Sequence, residues 1–150
     1  TEDAQIGYPP ARVWGEPTTV MWVYRLGLEH AKRLMLTGQS LSGREAERLG
    51  LASAALPASE LEATVTQMAQ RLATIPTNQL VMSKLLVNQA YENMGLRSTQ
   101  MLGTVFDGIA RHTPEGVAWR DDAMRDGFRG AVRRRDGPWQ DYGETPGTSS

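Results

Sequence analysis

The side chains that could perform acid–base or metal chemistry are few in this sequence and stand apart from one another. His30 falls on the polar face of a predicted helix and His112 near a helix C-terminus, where the helix dipole favours a cation. No second histidine or carboxylate is spaced to make a metal site with either of them. Because the sequence has no cysteine, disulfides and thiolate metal sites are excluded. We therefore expect no metal site.

One carboxylate and several aromatic side chains are grouped around a proline-rich loop, YPPARVWGEP. Its three prolines each remove a backbone donor and restrict the preceding residue, so the segment is predicted to be irregular. Glu16 lies in this loop, where a solvated carboxylate is the ordinary interpretation. Trp14, Trp22 and Tyr24 could line an apolar binding pocket, although packing in the core is the more common role for each of them.

The elements around this loop are predicted from capping residues and glycines. Thr18 or Thr19 can cap a short apolar helix, VMWVYRL, that ends at Gly27. A second helix, LEHAKRLMLT, is predicted to end at Gly38, since glycine favours the left-handed conformation that closes helices.

Two capping boxes, in which serine and glutamate stand three residues apart, mark the next helix starts. They pair Ser42 with Glu45 and Ser59 with Glu62, and the small apolar run LASAAL between them predicts a brief strand. Another strand is predicted in DAQIGY, where apolar residues alternate with polar or small ones.

Longer helices are predicted from apolar stripes at helical spacing. The first stripe is Leu61, Val65, Met68, Leu72 and Ile75, and a later one is Leu102, Val105, Phe106 and Ile109. Thr77 is predicted to cap a helix between these two, and Thr113-Pro114 to begin another with proline at the first position. The fold class is therefore mainly α with two or three short strands. Strands without obvious partners indicate part of a larger fold.

The charge balance excludes some functions. The 150 residues carry 16 basic and 17 acidic side chains, whereas nucleic-acid binders usually show a basic excess. No apolar run approaches the roughly 18–20 residues of a membrane span, and the first residues lack the features of a signal peptide. We expect no nucleic acid or membrane partner and a cytoplasmic location.

Three stretches in order resemble the enoyl-CoA hydratase/isomerase (crotonase) family. They are DAQIGYPP, LGLEHAKRLMLTGQSLSGREAERLGLASAALP and MSKLLVNQAYENM. The resemblance implies the C-terminal part of a crotonase-type α/β spiral fold. It divides the chain into the end of the family's core (1–76) and a helical oligomerisation region (77–142). The tail, GETPGTSS (143–150), has no apolar content and is expected to be disordered.

The resemblance also implies where the chemistry would lie. The family's N-terminal half, missing here, would supply the oxyanion-hole amides, most of the coenzyme A site and the first catalytic glutamate. The second glutamate position holds Pro10, which cannot transfer protons, so hydration by two paired carboxylates is expected to be poor. Glu16 is then the candidate catalytic acid or base. The candidate residues of a bulkier acyl pocket are Trp14, Met21 and Trp22.

An arginine cluster near the C-terminus offers a second contact implied by the resemblance. In the family a basic residue there reaches the coenzyme A phosphates of a neighbouring subunit, and aligning AVRRR selects Arg135. A rival register, aligned on EGVAW, places Asp122 at that position and loses the contact. A solvated basic helix end, balanced by nearby aspartates, is the third and most ordinary interpretation.

The expected function is that of an acyl-CoA-processing enzyme, most simply a lyase of fatty acid metabolism, active when the N-terminal half is present. The coenzyme A thioester is the substrate, no cofactor is expected, and the assembly is expected to be a homotrimer or hexamer. A non-catalytic scaffold or assembly fragment of a crotonase-like protein is the competing class. A DNA-binding helical domain, supported by the arginine cluster alone, is the third.

Overall fold

Helices make up most of the chain in the computed structural model, which describes residues 1–140. The elements are β1 (Gln5–Ile6), a 3₁₀ turn (Pro9–Arg12), α1 (Trp22–Thr37), β2 (Leu41–Ser42), α2 (Gly43–Arg48), α3 (Ala58–Leu72), α4 (Thr77–Asn93), α5 (Leu96–Ala110), α6 (Pro114–Asp126), α7 (Phe128–Asp136) and a second 3₁₀ turn (Gly137–Trp139). The mainly helical class with short strands is confirmed. The predicted disordered tail, 143–150, lies outside the described residues. Within the described range, no helix is both long enough and apolar enough to cross a membrane.

The two short strands form one antiparallel pair that joins the start of the chain to the segment before α2. Their register places Ile6 opposite Leu41. The strand predicted for LASAAL is wrong, because residues 51–56 form bends and irregular backbone. The Glu2 amide donates to the Leu56 carbonyl at 2.9 Å, so this run is attached to the start of the chain without adding a strand.

The two helices predicted on either side of Gly27 form one helical span with a break. Gly27 has φ 73° and ψ 173°, which lies outside the helical region, so α1 is kinked there. Gly38 ends the span in the left-handed conformation at φ 64°. The cap predicted at Thr18 or Thr19 is wrong: both lie in a turn before the helix, and Met21 precedes its first residue without a side-chain cap.

The capping box predicted before α2 is confirmed. The Ser42 hydroxyl accepts from the Glu45 amide at 3.2 Å, and the Glu45 carboxylate accepts from the Ser42 amide at 2.9 Å. The box predicted at Ser59 is wrong, because α3 begins one residue earlier and Ser59 falls inside its first turn. Thr77 is likewise the first helical residue of α4 and not its cap. Thr113 does cap α6, with proline next to it as predicted.

The buried apolar core is small and lies where α1 packs against β2 and α2. Its members are Leu26, Leu34 and Leu41, with Trp22, Leu49 and Leu51 packed against them. The apolar stripe predicted on α3 is present, but nothing in the described residues covers it: Val65 and Met68 are each 55% exposed. The stripe predicted on α5 also faces outward, with Val105 and Ile109 about half exposed. Large apolar faces of α3 to α5 are therefore not packed against any other part of residues 1–140.

Candidate active site

The proline-rich loop and the start of α1 run along one face of α5. This face, here named the α5 stripe, consists of residues spaced four apart: Thr99, Gly103, Asp107 and Arg111. Their partners, in reverse order along the chain, are Tyr24, Val20, Glu16 and Trp14. Because residues four apart share one side of a helix, a single helical face holds the loop over its length.

Polar contacts attach the loop to the α5 stripe at two points. The Glu16 backbone amide donates to Asp107 Oδ1 at 3.1 Å. Further along, the hydroxyl oxygens of Tyr24 and Thr99 lie 2.9 Å apart and share a hydrogen bond. The backbone at Glu16 is therefore fixed by a residue distant in sequence, and not by the loop alone.

Glu16, Tyr8, Asp107 and Arg111 form a cluster of titratable groups on this face, here named the Glu16 cluster. Burial raises the pKa of Glu16, and the negative charge of Asp107 raises it further. Burial also raises the pKa of Tyr8; Asp107 adds to that shift and Arg111 opposes it. Arg111 donates two hydrogen bonds of 3.1 Å to the Asp107 carboxylate. A carboxyl with a raised pKa exchanges protons closer to neutral pH, as an acid–base catalyst requires.

Trp14 belongs to a stack of two indoles between two guanidinium groups. The Arg111 guanidinium carbon lies 5.0 Å from the centre of the Trp14 ring, which lies 5.0 Å from the centre of the Trp119 ring. The Arg135 guanidinium carbon lies 5.6 Å from the Trp119 ring centre on the α7 side. Both indole N–H groups are buried and lack a hydrogen-bond partner among the described residues. Trp14 thus lies beside the Glu16 cluster, and its role in an acyl pocket stays a prediction.

Arg135, the candidate for a coenzyme A phosphate contact, is held against a buried carboxylate. Its Nε and Nη2 each donate to Asp136 at 2.7 Å, and Arg12 donates to the same carboxylate at 2.8 Å. Burial disfavours the ionised form of Asp136, but the hydrogen bonds and charges of the two arginines outweigh it and hold the pKa of Asp136 below its ordinary value. Arg135 also borders a cleft of about 390 Å³ with Arg134 and Trp139. Its contact with a coenzyme A phosphate stays a prediction.

Aspartates balance the exposed arginines of the cluster, as the most ordinary interpretation of the sequence expects. Arg134 Nη2 lies 3.1 Å from an Asp126 carboxylate oxygen and 3.7 Å from one of Asp122. Asp122, the residue selected by the rival register, also pairs with Arg125. Exposed pairs of this kind are screened by solvent, so they contribute little to stability.

The other candidate pocket residues lie at the start of α1. Trp22 packs against the core formed by Leu26, Leu34 and Leu41, which is the packing role more common for tryptophan. Met21 is half-buried at the N-terminal end of the helix. A place for these two side chains in an acyl pocket stays a prediction. Among residues 1–140, no group of three or more His, Cys, Asp or Glu side chains is arranged to hold a metal ion.

Sequence reasoning missed Asp107 and Arg111. The apolar stripe predicted on α5 is on its outward face, whereas the face that contacts the loop consists of Thr99, Gly103, Asp107 and Arg111. The available signal was their regular spacing of four, which places small and polar residues on one face of a helix whose other side is apolar.

The comparison that decides the family covers most of the chain. The family model for enoyl-CoA hydratase/isomerase matches residues 2–118. The chain belongs to the enoyl-CoA hydratase/isomerase family. A crystal structure of an enoyl-CoA hydratase from Mycobacterium smegmatis is 51% identical, with a TM-score of 0.89 over 92% of this chain and 47% of that one. The resemblance inferred from the three motifs and the crotonase-type fold class are therefore confirmed.

Two further relatives of this chain are more distant. A Dictyostelium discoideum protein named "Probable enoyl-CoA hydratase, mitochondrial" is 29% identical over 92% of this chain and 48% of its own length. An enoyl-CoA hydratase/isomerase structure from Xanthobacter autotrophicus Py2 is 24% identical, covers 91% of this chain and 52% of that one, and has a TM-score of 0.81, which supports the fold alone. The chain spans about half the length of the relatives it matches.

Pro10, at the position that the resemblance assigns to the second glutamate of the hydratases, has a backbone role in this chain. It lies in the first 3₁₀ turn, where its carbonyl accepts from the Val13 amide at 3.1 Å and from the Trp14 amide at 2.8 Å. Pro10 thus helps to shape the turn that leads to Glu16, and it has no group that could transfer a proton.

Proposed function

We propose that the protein containing this chain acts on acyl-CoA thioesters and that Glu16 transfers a proton at the carbon next to the thioester carbonyl. The observation that carries this proposal is a half-buried carboxylate with a raised pKa, held in the loop where the resemblance expects the family's second acid–base group. Family membership and the names of the relatives support the substrate class.

The proposed step moves one proton. The Glu16 carboxylate removes it from the α-carbon, and the electron pair of the broken C–H bond moves into the thioester carbonyl to give an enolate. Backbone amides of the N-terminal half would stabilise that enolate, which is usually the largest catalytic contribution in such sites. Return of the proton to the α-carbon restores the thioester, and its delivery to the γ-carbon of a 3-enoyl thioester gives the 2-enoyl isomer. No cofactor takes part.

Hydration of a short 2-enoyl thioester is proposed to be slow, because Pro10 replaces one of the two carboxylates that the hydratases use. Loss of one proton-transfer group lowers a rate by about 10²–10⁴-fold. Binding of the acyl-CoA should persist, since the amides that polarise the thioester belong to the N-terminal half.

The test uses the full-length protein with butyryl-CoA in D₂O, where exchange of the α-protons reports enolate formation by NMR. Glu16→Gln should lower the exchange rate by about 10²-fold or more while butyryl-CoA binding is retained. Glu29→Gln, which removes an exposed carboxylate on α1, is the matched control and should leave exchange unchanged. Unchanged exchange in Glu16→Gln would contradict the role proposed for Glu16.

A second measurement tests the role of Pro10. Crotonyl-CoA hydration by the full-length protein should be slow and should rise in Pro10→Glu, which restores the second carboxylate. Hydration as fast in the unmodified protein as in a two-glutamate hydratase, and unaffected by Glu16→Gln, would show that Pro10 does not limit the reaction.

The proposed partners are the N-terminal half and further copies of the chain, in a trimer or hexamer. The outward apolar face of α5 supports this assembly, because Val105, Phe106 and Ile109 are each about half exposed. Sedimentation of the full-length protein as a monomer would contradict it. A part in fatty acid metabolism is proposed from the resemblance. A cytoplasmic location is proposed because the sequence contains no cysteine, and imaging of a tagged protein tests it.

The alternative of a non-catalytic scaffold is not favoured, because the relatives that the chain matches are named enoyl-CoA hydratases. The butyryl-CoA experiment separates the two classes. A scaffold would bind the thioester weakly or show no exchange, and Glu16→Gln would change neither property.

A further inference from the structure

We propose that Asp107 on α5 is a positioning residue for Glu16, which it holds in place by accepting a hydrogen bond from the Glu16 backbone amide. This inference rests on the proposed function of Glu16 and adds to it a residue from the helical region that the resemblance assigns to oligomerisation. Asp107 would act through Glu16 and need not touch the substrate.

The first support is the geometry around Asp107. Its Oδ1 accepts the Glu16 amide at 3.1 Å, and its carboxylate side chain is 16% exposed. Arg111, one turn later on the same helix, restrains it through hydrogen bonds to both oxygens. The Asp107 carboxylate is therefore held in place by Arg111 of α5 and binds the backbone of the loop at Glu16.

Gly15 shows how closely the loop approaches this carboxylate. A Cβ at Gly15 would lie 2.8 Å from Asp107 Oδ1 and 3.3 Å from the Tyr8 hydroxyl oxygen. The Asp107 side chain is braced by Arg111, so a larger residue could be admitted only if the loop moved. The contact between loop and helix thus depends on glycine at this position.

Val20 gives independent evidence that α5 holds the loop in a set conformation. Its φ is 45°, which is unfavourable for a β-branched residue, and its side chain is 8% exposed. A Cβ at Gly103 would lie 2.7 Å from Val20 Cγ2, so the glycine provides the space that Val20 occupies. Backbone strain of this kind persists where surrounding contacts determine the conformation, and the α5 stripe supplies those contacts on both sides of Glu16.

The titratable groups around Glu16 come from two elements. Tyr8 precedes the 3₁₀ turn, and Asp107 and Arg111 lie on α5. Burial of Glu16 and the charge of Asp107 both favour its protonated form, while Arg111 pairs with Asp107. Replacing Asp107 with a neutral residue should therefore lower the pKa of Glu16 and move the pH limb that Glu16 governs toward lower pH.

The experiment compares Asp107→Asn, Asp107→Ala and the unmodified full-length protein by butyryl-CoA α-proton exchange in D₂O across a pH series. Asp107→Asn keeps an oxygen that can accept the Glu16 amide, so its maximal rate should stay within about threefold while its pH limb moves lower. Asp107→Ala removes both charge and acceptor and should lower kcat by about 10–100-fold with little change in KM, because a small displacement of a catalytic group has effects of this size. Asp121→Asn, an exposed aspartate on α6, is the control for charge and should change neither quantity.

Titration of the Glu16 carboxyl by ¹³C NMR in the same variants measures the effect of Asp107 on the pKa of Glu16 without any turnover. A lower Glu16 pKa in Asp107→Asn, with folding verified by circular dichroism, supports the inference. An unchanged Glu16 pKa and pH profile in Asp107→Asn would overturn it. This result decides the question even if Asp107→Ala misfolds. If Glu16→Gln loses exchange but the pH profile of Asp107→Asn does not move, this inference is wrong and the proposed function stands. If Glu16→Gln keeps normal exchange, the proposed function is wrong.

Discussion

The loop region and the α3–α4 helices of this chain are stabilised in different ways. The loop region consists of the proline-rich loop, the start of α1, α5, and Asp136 with its two arginines, Arg12 and Arg135. It is held by polar and aromatic contacts between residues far apart in sequence. The Arg12–Asp136 hydrogen bond, for example, joins residues 124 positions apart. The α3–α4 helices are regular and apolar on one side, yet Met68, Leu85 and Leu86 are each more than half exposed.

This difference separates what the chain specifies by itself from what it leaves to a partner. Hydrogen bonds and ion pairs need defined partners at short distances, and the loop region contains both members of each pair. Apolar faces need only another apolar surface packed against them, and no described residue provides one for α3 and α4. The contacts of the candidate site lie among residues 1–140, whereas α3 and α4 need a surface that these residues do not supply.

The largest expected change in stability comes from a substitution in the loop region. Asp136→Asn removes the charge that Arg12 and Arg135 share in a fully buried site, and loss of one member of a buried ion pair destabilises by about 3–5 kcal/mol. Because the pKa of Asp136 is lowered, its contribution is present above the ordinary carboxyl pKa and is lost as the pH falls through the lowered value. Urea unfolding of the full-length protein at several pH values measures both effects. Asp126→Asn, which breaks an exposed ion pair, is the control and should change stability far less.

The next effect tests the uncovered helices. Met68→Ala on α3 should change the stability of the isolated chain by less than about 0.5 kcal/mol, because an exposed side chain contributes little. In the full-length protein the same change should remove about 2 kcal/mol or more, as for methionine in a core. Thermal melting of both forms makes the comparison, with Gln67→Ala as the polar control on the same helix. Equal small effects in both forms would mean that the N-terminal half does not cover α3.

A smaller effect is expected in the indole stack. Trp119→Phe keeps a ring between Trp14 and Arg135 but offers the cation a weaker face, which should lower stability by about 1 kcal/mol. The lost indole N–H has no hydrogen-bond partner within the described residues, so its removal leaves no group unpaired. Thermal melting would contradict this prediction if the variant lost about 3 kcal/mol or more, the scale of a large core truncation.

The smallest effect concerns Glu16 itself. Because its pKa is raised by burial and by Asp107, folding favours its protonated form. The contribution of that form is present below the ordinary carboxyl pKa and is lost as the pH rises through the raised value. Glu16→Gln should therefore match the unmodified protein in acid and exceed it at neutral pH, by less than about 1 kcal/mol for a partly exposed group. A variant less stable than the unmodified protein at neutral pH would contradict the assigned sign.

Local signals in the sequence predicted some helix starts and missed others, since the caps predicted at Ser59 and Thr77 were wrong. The Ser42 box, the Thr113 cap and the apolar stripe of α5 all follow from interactions within a few residues. The strand predicted at LASAAL failed because a strand requires a partner, and short apolar runs do not identify one.

The candidate site was predictable in part. Glu16 and Trp14 were identified from the loop, and both contact the α5 stripe. Asp107 and Arg111 were not, because their role depends on the loop lying beside α5, a contact between residues 91 positions apart for Glu16 and Asp107. The sequence of α5 shows which residues share a face but not what that face will meet.

The paired indoles have a consequence for observing this site in solution. With ring centres 5.0 Å apart and planes inclined by 31°, the electronic transitions of Trp14 and Trp119 must couple. Coupled chromophores in a chiral arrangement give a paired positive and negative band in circular dichroism. Docking of the loop onto the C-terminal helices therefore carries its own optical signal, which can be followed without a label during assembly, titration or substrate binding.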